Sequence, residues 1–424
     1  MRPWQNWIIK TLTAGAAILL AWTAPVRADT TADHIKSVTA ITQVFGEGQK
    51  FVAVAVEYDR DINGAMLSTA SFSVDQRTVT KVYSNTDAAL AKQSKNGRYV
   101  IVELSRDDPD AALYILNRRE IIRKKAQASV TQKGSVFTTG RQTYAASASS
   151  VATSRVVNLV VDDFKQLEYR DATTGEILRY NLFVPRNYDR RKTYPLVLFM
   201  HDAGMTSTVT DTTLVQGNGA VIWASPEEQA KHEALVLAPQ YPSQPSTHQG
   251  PWPYVQLTVD LVNQIARDYS IDRNRMYTTG QSLGGSISIQ IGVKYPDLFA
   301  ATYIVASQRD PEESRPLAKA KLWIVVAEGD LRAFPGENAM TAVWEQEGAK
   351  VSRAFWDGRA TAAEFAANVQ KMEAEGNSIK YAVLRKGTVV PPGQEDSGGS
   401  NHINTWRIAY QIEGIRDWLF KQHK

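Results

Sequence analysis

Arg275-Met-Tyr-Thr-Thr-Gly280-Gln-Ser282-Leu-Gly284-Gly-Ser286 carries the most informative local pattern in the chain. It reads as a short strand, a sharp turn carrying one serine, and the start of a helix. Gly280-Gln281-Ser282-Leu283-Gly284 has the form G-x-S-x-G, in which a serine sits on a strained strand-to-helix turn. The flanking glycines fit because a side chain there would collide with the neighbouring strand and helix. The serine oxygen then stands clear of the sheet, at the positive end of the following helix. An ordinary glycine-rich turn carries the same letters, so the surrounding chain has to decide.

Around that turn, from Phe164 onward, strand-like and helix-like segments alternate. Glu176–Pro185, Tyr194–His201, Leu235–Pro239, Arg275–Thr279, Ala300–Ala306, Leu322–Ala327 and Ile379–Leu384 read as strands. Val255–Tyr269 has helical spacing, with Val255, Leu257, Leu261, Ile265 and Ala266 on one face, and Thr405–Phe420 reads as a closing helix. Such alternation implies an α/β domain with a mostly parallel sheet covered on both faces. The serine turn falls at a strand's C-terminal end, where such sheets place ligands.

Before Phe164 the pattern differs. Phe51–Tyr58, Phe72–Val82 and Tyr99–Leu104 alternate on a period of two, with turn signals at Gly46-Glu-Gly48, Asp61–Gly64 and Asn96-Gly97. Short strands at this spacing suggest a small all-β sandwich of immunoglobulin type over 29–125. Its histidine, His34, reads as a solvated surface residue. Residues 126–160, rich in Ser, Thr and Ala, read as a connector or as an irregular edge of the sandwich. The catalytic domain is then 161–424.

At the start, Arg2 and Lys10 precede the apolar run Leu12–Trp22, and Val26-Arg27-Ala28 offers a small-x-small cleavage site. Residues 1–28 therefore read as a signal peptide, with a secreted or periplasmic destination and no stable membrane anchor after cleavage. Their removal takes away three basic and no acidic residues, leaving 45 basic against 44 acidic. A near-neutral chain gives no electrostatic case for nucleic acid. With no cysteine, disulfides, thiolate metal sites and cysteine nucleophiles are excluded. No cofactor or metal is expected, and a homo-oligomer formed through the first domain is possible.

A serine hydroxyl needs a base to take its proton and an acid to orient that base. The expected order is Ser, then Asp or Glu, then His. Only His402 and His423 follow Ser282, and His423 is penultimate. His402, in the loop-like Ser397-Gly-Gly-Ser-Asn-His402, is the candidate base. Asp330, just past the strand Leu322–Ala327, is the candidate acid, with Glu328, Asp310 and Asp396 as rivals. The oxyanion donors expected are the backbone N–H groups of Leu283 and, from the loop His201-Asp202-Ala203-Gly204, Ala203, with Asp202 or Gly204 as its neighbours. His201 reads as a brace for that loop. Trp223, Tyr241 and Trp252 are candidates for lining a substrate cleft, or for rim and core packing.

These residues resemble the α/β-hydrolase esterases of the polyhydroxybutyrate-depolymerase and feruloyl-esterase branch. The nearest pattern is a group of exported esterases with an immunoglobulin-like N-terminal domain, also labelled predicted peptidases. The resemblance rests on Tyr180–Pro185, Leu196–Gly204, Leu237–Tyr241, Arg275–Gly285, Glu328-Gly-Asp330, and His402 with Trp406, and reaches back to Ser37–Leu104. It implies hydrolysis of small-molecule or polymeric carboxylic esters through Ser282, Asp330 and His402. A serine peptidase with the same three residues, or a binding protein on a hydrolase scaffold, are the alternatives. One position departs from the family pattern: Asp202 stands where a glycine usually follows the histidine. A carboxylate there would repel an oxyanion unless it is paired or turned away.

Overall fold

The computed structural model describes residues 34–117, 120–245 and 252–424. The expected signal peptide lies outside these residues. Among them, no helix is long and apolar enough to cross a membrane.

The N-terminal domain is all-β. A five-stranded sheet runs in the order Arg155–Asn158, Ile35–Phe45, Gly48–Ile62, Gly97–Leu104, Val79–Asn85. A three-stranded sheet, Ser150–Ala152, Ser129–Gln132 and Phe72–Val74, accompanies it. Val38, Val54, Val56, Val100 and Val102 of the larger sheet and Phe72, Val74 and Val130 of the smaller one share a single buried cluster. This is the packing that period-two patterning calls for.

Residues 126–160 do not form a free connector. Ser129–Gln132 and Ser150–Ala152 pair in the smaller sheet, and Arg155–Asn158 runs parallel to Thr39–Thr42 at the edge of the larger. Ser and Thr suit exposed strand edges as well as linkers, so composition did not separate the two. His34 is not freely solvated either: its ring stacks on Tyr144 at 3.8 Å and its Nδ1 lies 3.0 Å from Asp59 Oδ2.

The C-terminal domain is built on a nine-stranded sheet: β1 (Phe164–Arg170), β2 (Ile177–Phe183), β3 (Tyr194–Met200), β4 (Leu235–Gln240), β5 (Ile271–Gln281), β6 (Ala301–Val305), β7 (Leu322–Ala327), β8 (Val351–Trp356) and β9 (Ile379–Leu384). Its spatial order is β1-β2-β4-β3-β5-β6-β7-β9-β8. The pairings of β1 with β2 and β2 with β4 are antiparallel, and the remaining ones parallel. All residues of β3, β4, β6, β7 and β9 are buried, as a sheet covered on both faces requires. The longer helices are α1 (Tyr254–Asp268), α2 (Leu283–Lys294), α3 (Ala333–Gln346), α4 (Ala362–Ala374), α5 (Gly398–Ala409) and α6 (Glu413–Phe420). Two apolar clusters sandwich the sheet, one holding Val197, Phe199 and Trp418, the other Leu196, Leu198 and Leu261. This is the α/β-hydrolase fold, with an all-β domain in front of it.

The closing helix expected over 405–420 is two helices. Ser397 caps α5 through a reciprocal pair with Ser400, so the Gly/Ser/Asn stretch expected as a loop forms the first turns of that helix. His402 therefore sits on a helix. That gives it a fixed direction that a loop would not supply.

Candidate active site

Ser282 lies between β5 and α2 with φ 51° and ψ −115°, a backbone state non-glycine residues avoid. The glycines explain how the chain tolerates it. A Cβ on Gly280 would stand 2.3 Å from the Gly284 carbonyl carbon, and one on Gly284 only 1.9 Å from the Met200 carbonyl oxygen. The elbow is thus pressed against its own helix and against the end of β3. The Ser282 N–H donates to Val305 O at 3.0 Å, tying it to β6.

The Ser282 hydroxyl is 2.9 Å from His402 Nε2, and His402 Nδ1 is 2.5 Å from Asp330 Oδ2. A carboxylate only accepts, so Nδ1 carries the ring proton and Nε2 is free to take one from the serine. Asp330 is buried, and its other oxygen accepts the N–H groups of Arg332 and Ala333 at 3.0 and 2.9 Å. Burial pushes its pKa up. The hydrogen bond and charge of His402, with the two backbone donors, outweigh that and hold it below the ordinary carboxylate range. The rivals for this place are engaged elsewhere. Glu328 accepts the Lys386 N–H, Asp310 caps its own loop at Glu312, and Asp396 accepts from Asn401.

Leu283 is the first residue of α2, and Ala203 the first of the short 3₁₀ turn Ala203–Met205. N–H groups at such starts have no acceptor within their own helix, which leaves them for a ligand. Asp202, the departure from the family pattern, is paired. Its Oδ1 accepts the Gly204 N–H at 2.8 Å and its Oδ2 accepts Gln281 Nε2 at 3.0 Å. Oδ1 thus braces the loop internally, and Oδ2 ties it to Gln281, the residue before Ser282. His201 is fully buried, its Nδ1 bonded to Asp202 O at 2.7 Å and its Nε2 accepting the Tyr241 N–H at 3.0 Å. Burial pushes its pKa down, which keeps it a neutral brace.

The N-terminal domain reaches the same loop. Tyr114 O–H donates to Met205 Sδ at 2.5 Å, and Arg123 pairs with Asp211 at 2.8 Å.

The aromatics behave otherwise than a cleft lining would. Trp223 and Tyr241 are fully buried. Trp223 Nε1 donates to Gly219 O, and the Tyr241 hydroxyl lies 3.0 Å from Thr258 Oγ1. Both are core residues, and a chain rich in aromatics carries no local mark of which ones a sheet will cover. Trp252 is partly buried, edge-on to Tyr241 and Tyr254, beside residues outside those described. Sequence reading missed Gln281, which lies inside the motif itself, and Ser307 and Glu337, which carry no local signal. Ser307 Oγ donates to the Ser282 carbonyl at 2.6 Å.

An elbow serine, a helix-borne histidine and a buried aspartate are thus brought within hydrogen-bond reach of one another on an α/β-hydrolase fold. The chain belongs to the esterase family described as "Putative esterase", which it matches over residues 172–402; residues 37–145 match the "Esterase Ig-like N-terminal domain". A crystal structure of a thermostable esterase superposes with a TM-score of 0.76 at 27% identity, over 92% of this chain and 100% of that one. Among curated relatives, a poly(3-hydroxybutyrate) depolymerase of Ralstonia pickettii is 32% identical over 26% of this chain and 25% of its own length. The ferri-bacillibactin esterase BesA of Bacillus subtilis (strain 168) is 28% identical over 32% of this chain and 55% of its own. The chain thus spans between a quarter and about half the length of these two relatives.

Proposed function

We propose that this chain is an exported serine esterase that hydrolyses carboxylic esters through an acyl-enzyme on Ser282. The observation that carries the reading is the continuous chain from Ser282 Oγ through His402 to Asp330, at 2.9 and 2.5 Å. Ser282 Oγ attacks the ester carbonyl while its proton passes to His402 Nε2. Asp330 stabilises the imidazolium so formed, and the Leu283 and Ala203 N–H groups receive the oxyanion. Collapse of the tetrahedral adduct breaks the bond to the alcohol oxygen, which leaves with the proton from His402. A water then gives a proton to His402, attacks the acyl carbonyl, and the acid departs as Ser282 regains its hydrogen. Export is supported by the charged start and apolar run of residues 1–28. The similarity to a poly(3-hydroxybutyrate) depolymerase and a probable feruloyl esterase supports hydroxy-acid or aromatic-acid esters as the substrate class.

Labelling with a fluorophosphonate, followed by assays on p-nitrophenyl esters of graded chain length beside peptide anilides, tests this. Wild type should label and turn over esters. Ser282→Ala should lose labelling and at least about 10³-fold in kcat, and His402→Ala a comparable factor in rate. Ester turnover unchanged in both variants would sink the reading. Turnover confined to anilides would replace it with a peptidase.

A further inference from the structure

Behind the elbow lies a second turn. Ala306, at the end of β6, has φ 46°, in the left-handed region, and is fully buried. Its N–H donates to Val325 O at 2.9 Å, and the turn it makes aims Ser307 back at the elbow. Ser307 acts twice. Its hydroxyl donates to the Ser282 carbonyl at 2.6 Å, and its N–H donates to Glu337 Oε1 at 2.8 Å. Gly285, the second glycine after the nucleophile, belongs to this contact: a Cβ there would stand 2.6 Å from Ser307 Cβ and 2.9 Å from Gly280 O.

Glu337, on α3, is a carboxyl group with no exposed surface. Its Oε2 has no hydrogen-bond partner among the described residues. A carboxylate is among the costliest groups to bury, so such a position demands a reason. Oε1 has one: it is the acceptor that fixes Ser307.

We propose that Glu337 and Ser307 form a positioning clamp that holds the Ser282 backbone in its strained turn and so keeps its hydroxyl in line with His402. The clamp touches no substrate; it acts through the nucleophile's own carbonyl. The Ser286 N–H also donates to that carbonyl, at 3.0 Å, as the first bond of α2. Ser307 adds a donor from outside the helix. The elbow is then gripped from its N–H by β6, from its carbonyl by Ser307, and from its helix by the close-packed glycines. Glu337 serves in the uncharged form: burial pushes its pKa well up, and the nearby Asp330 carboxylate pushes the same way. A neutral acid at this place spares the Asp330–His402 pair a second negative charge.

The proposal rests on Ser282 being the nucleophile, and its test separates the two. Active sites are counted by fluorophosphonate titration, and kcat and KM are expressed per titrated site in wild type, Glu337→Gln, Glu337→Ala, Ser307→Ala and the double alanine variant. Glu337→Gln keeps a carbonyl acceptor for the Ser307 N–H. We expect it to hold kcat within about fivefold, with the pH profile of kcat/KM unmoved. Glu337→Ala and Ser307→Ala should each lower kcat about 10–100-fold with KM within about twofold, the signature of a misplaced nucleophile. The double variant should be no worse than the poorer single one, because both break one chain of contacts. Ser307→Ala removes one oxygen and is the variant that reports even where Glu337→Ala gives few titratable sites. Four outcomes overturn the clamp: a wild-type kcat per site in Ser307→Ala, additive losses, a Gln variant as poor as Ala, or a pH profile displaced by Gln. Absence of titratable sites in wild type would overturn the esterase reading instead.

Discussion

The turns at Ser282 and Ala306 end neighbouring strands and hold non-glycine residues at nearly the same left-handed φ, 51° and 46°. They differ in what lets them form. At Ser282 glycines two positions before and after allow approaches no Cβ permits, Gly280 to the elbow's own helix and Gly284 to the end of β3. At Ala306 the constraint is tertiary. The hydrogen bond to Val325 and the contacts of Ser307 with Glu337 and Ser282 come from segments remote in sequence. A strain imposed by glycine spacing leaves a written trace, and one imposed by packing leaves none.

In Gly284→Ala the new methyl meets the Met200 carbonyl oxygen at 1.9 Å, and both partners are backbone. Neither can move without shifting β3 or the elbow. Overpacking of this kind should cost about 3 kcal/mol or more in urea unfolding and abolish measurable ester turnover. Wild-type stability and activity in this variant would mean the elbow is not held by that approach.

The same contrast explains what could be read beforehand. The elbow was legible because its glycines sit within five residues. Asp330 followed from strand order, and His402 from elimination among few histidines, although its helix was hidden behind a Gly/Ser/Asn stretch. The mostly parallel sheet was legible because β3, β4, β6 and β7 are short, largely apolar runs. For Trp223 and Tyr241 the choice between cleft wall and core stayed open because hydrophobic side chains suit both equally, and only the sheet order buries them. Asp202 looked repulsive because its partner, Gln281, comes from the neighbouring strand. Ser307 and Glu337 were invisible for the same reason: their pairing is created by the fold.

A middle-sized effect sharpens the tertiary side through pH. The groups facing Glu337 are Asp330 and the buried Tyr381, with the Ser307 N–H as donor. Its folded pKa is raised above the ordinary 4.5, so folding retains a proton that the unfolded chain releases. The stability it contributes is fully present below pH ~4.5 and is lost as pH rises, by about 1.4 kcal/mol per pH unit while the folded protein keeps the proton. Asp330 runs the other way, since its folded pKa is lowered; its contribution is present above the ordinary 3.8 and lost in acid. In Glu337→Gln only the first dependence disappears. The difference in unfolding free energy between Gln variant and wild type should therefore grow in the variant's favour from pH 5 to pH 7, followed by urea titration at each pH. A difference constant across that range would show that Glu337 is ionised in the folded protein.

The smallest effect asks whether the two turns are equally strained. Replacing Ala306 by glycine relieves a left-handed non-glycine residue, a gain of about 1–2 kcal/mol. It also removes a buried methyl, a loss of about 0.8 kcal/mol, and frees the unfolded chain, a further loss of about 0.4–1 kcal/mol. The terms nearly cancel, so Ala306→Gly should lie within about 0.5 kcal/mol of wild type. At a position with ordinary φ the first term is absent, and the same change would cost about 1.5 kcal/mol. The matching comparison at the elbow is Ser282→Gly against Ser282→Ala, both inactive, so stability alone is read. Two near-zero differences would mean that a positive φ is held with similar strain in both turns. A loss near 1.5 kcal/mol at Ala306 alone would mean that packing there removes the strain rather than sustaining it, and that only the Ser282 turn stores it.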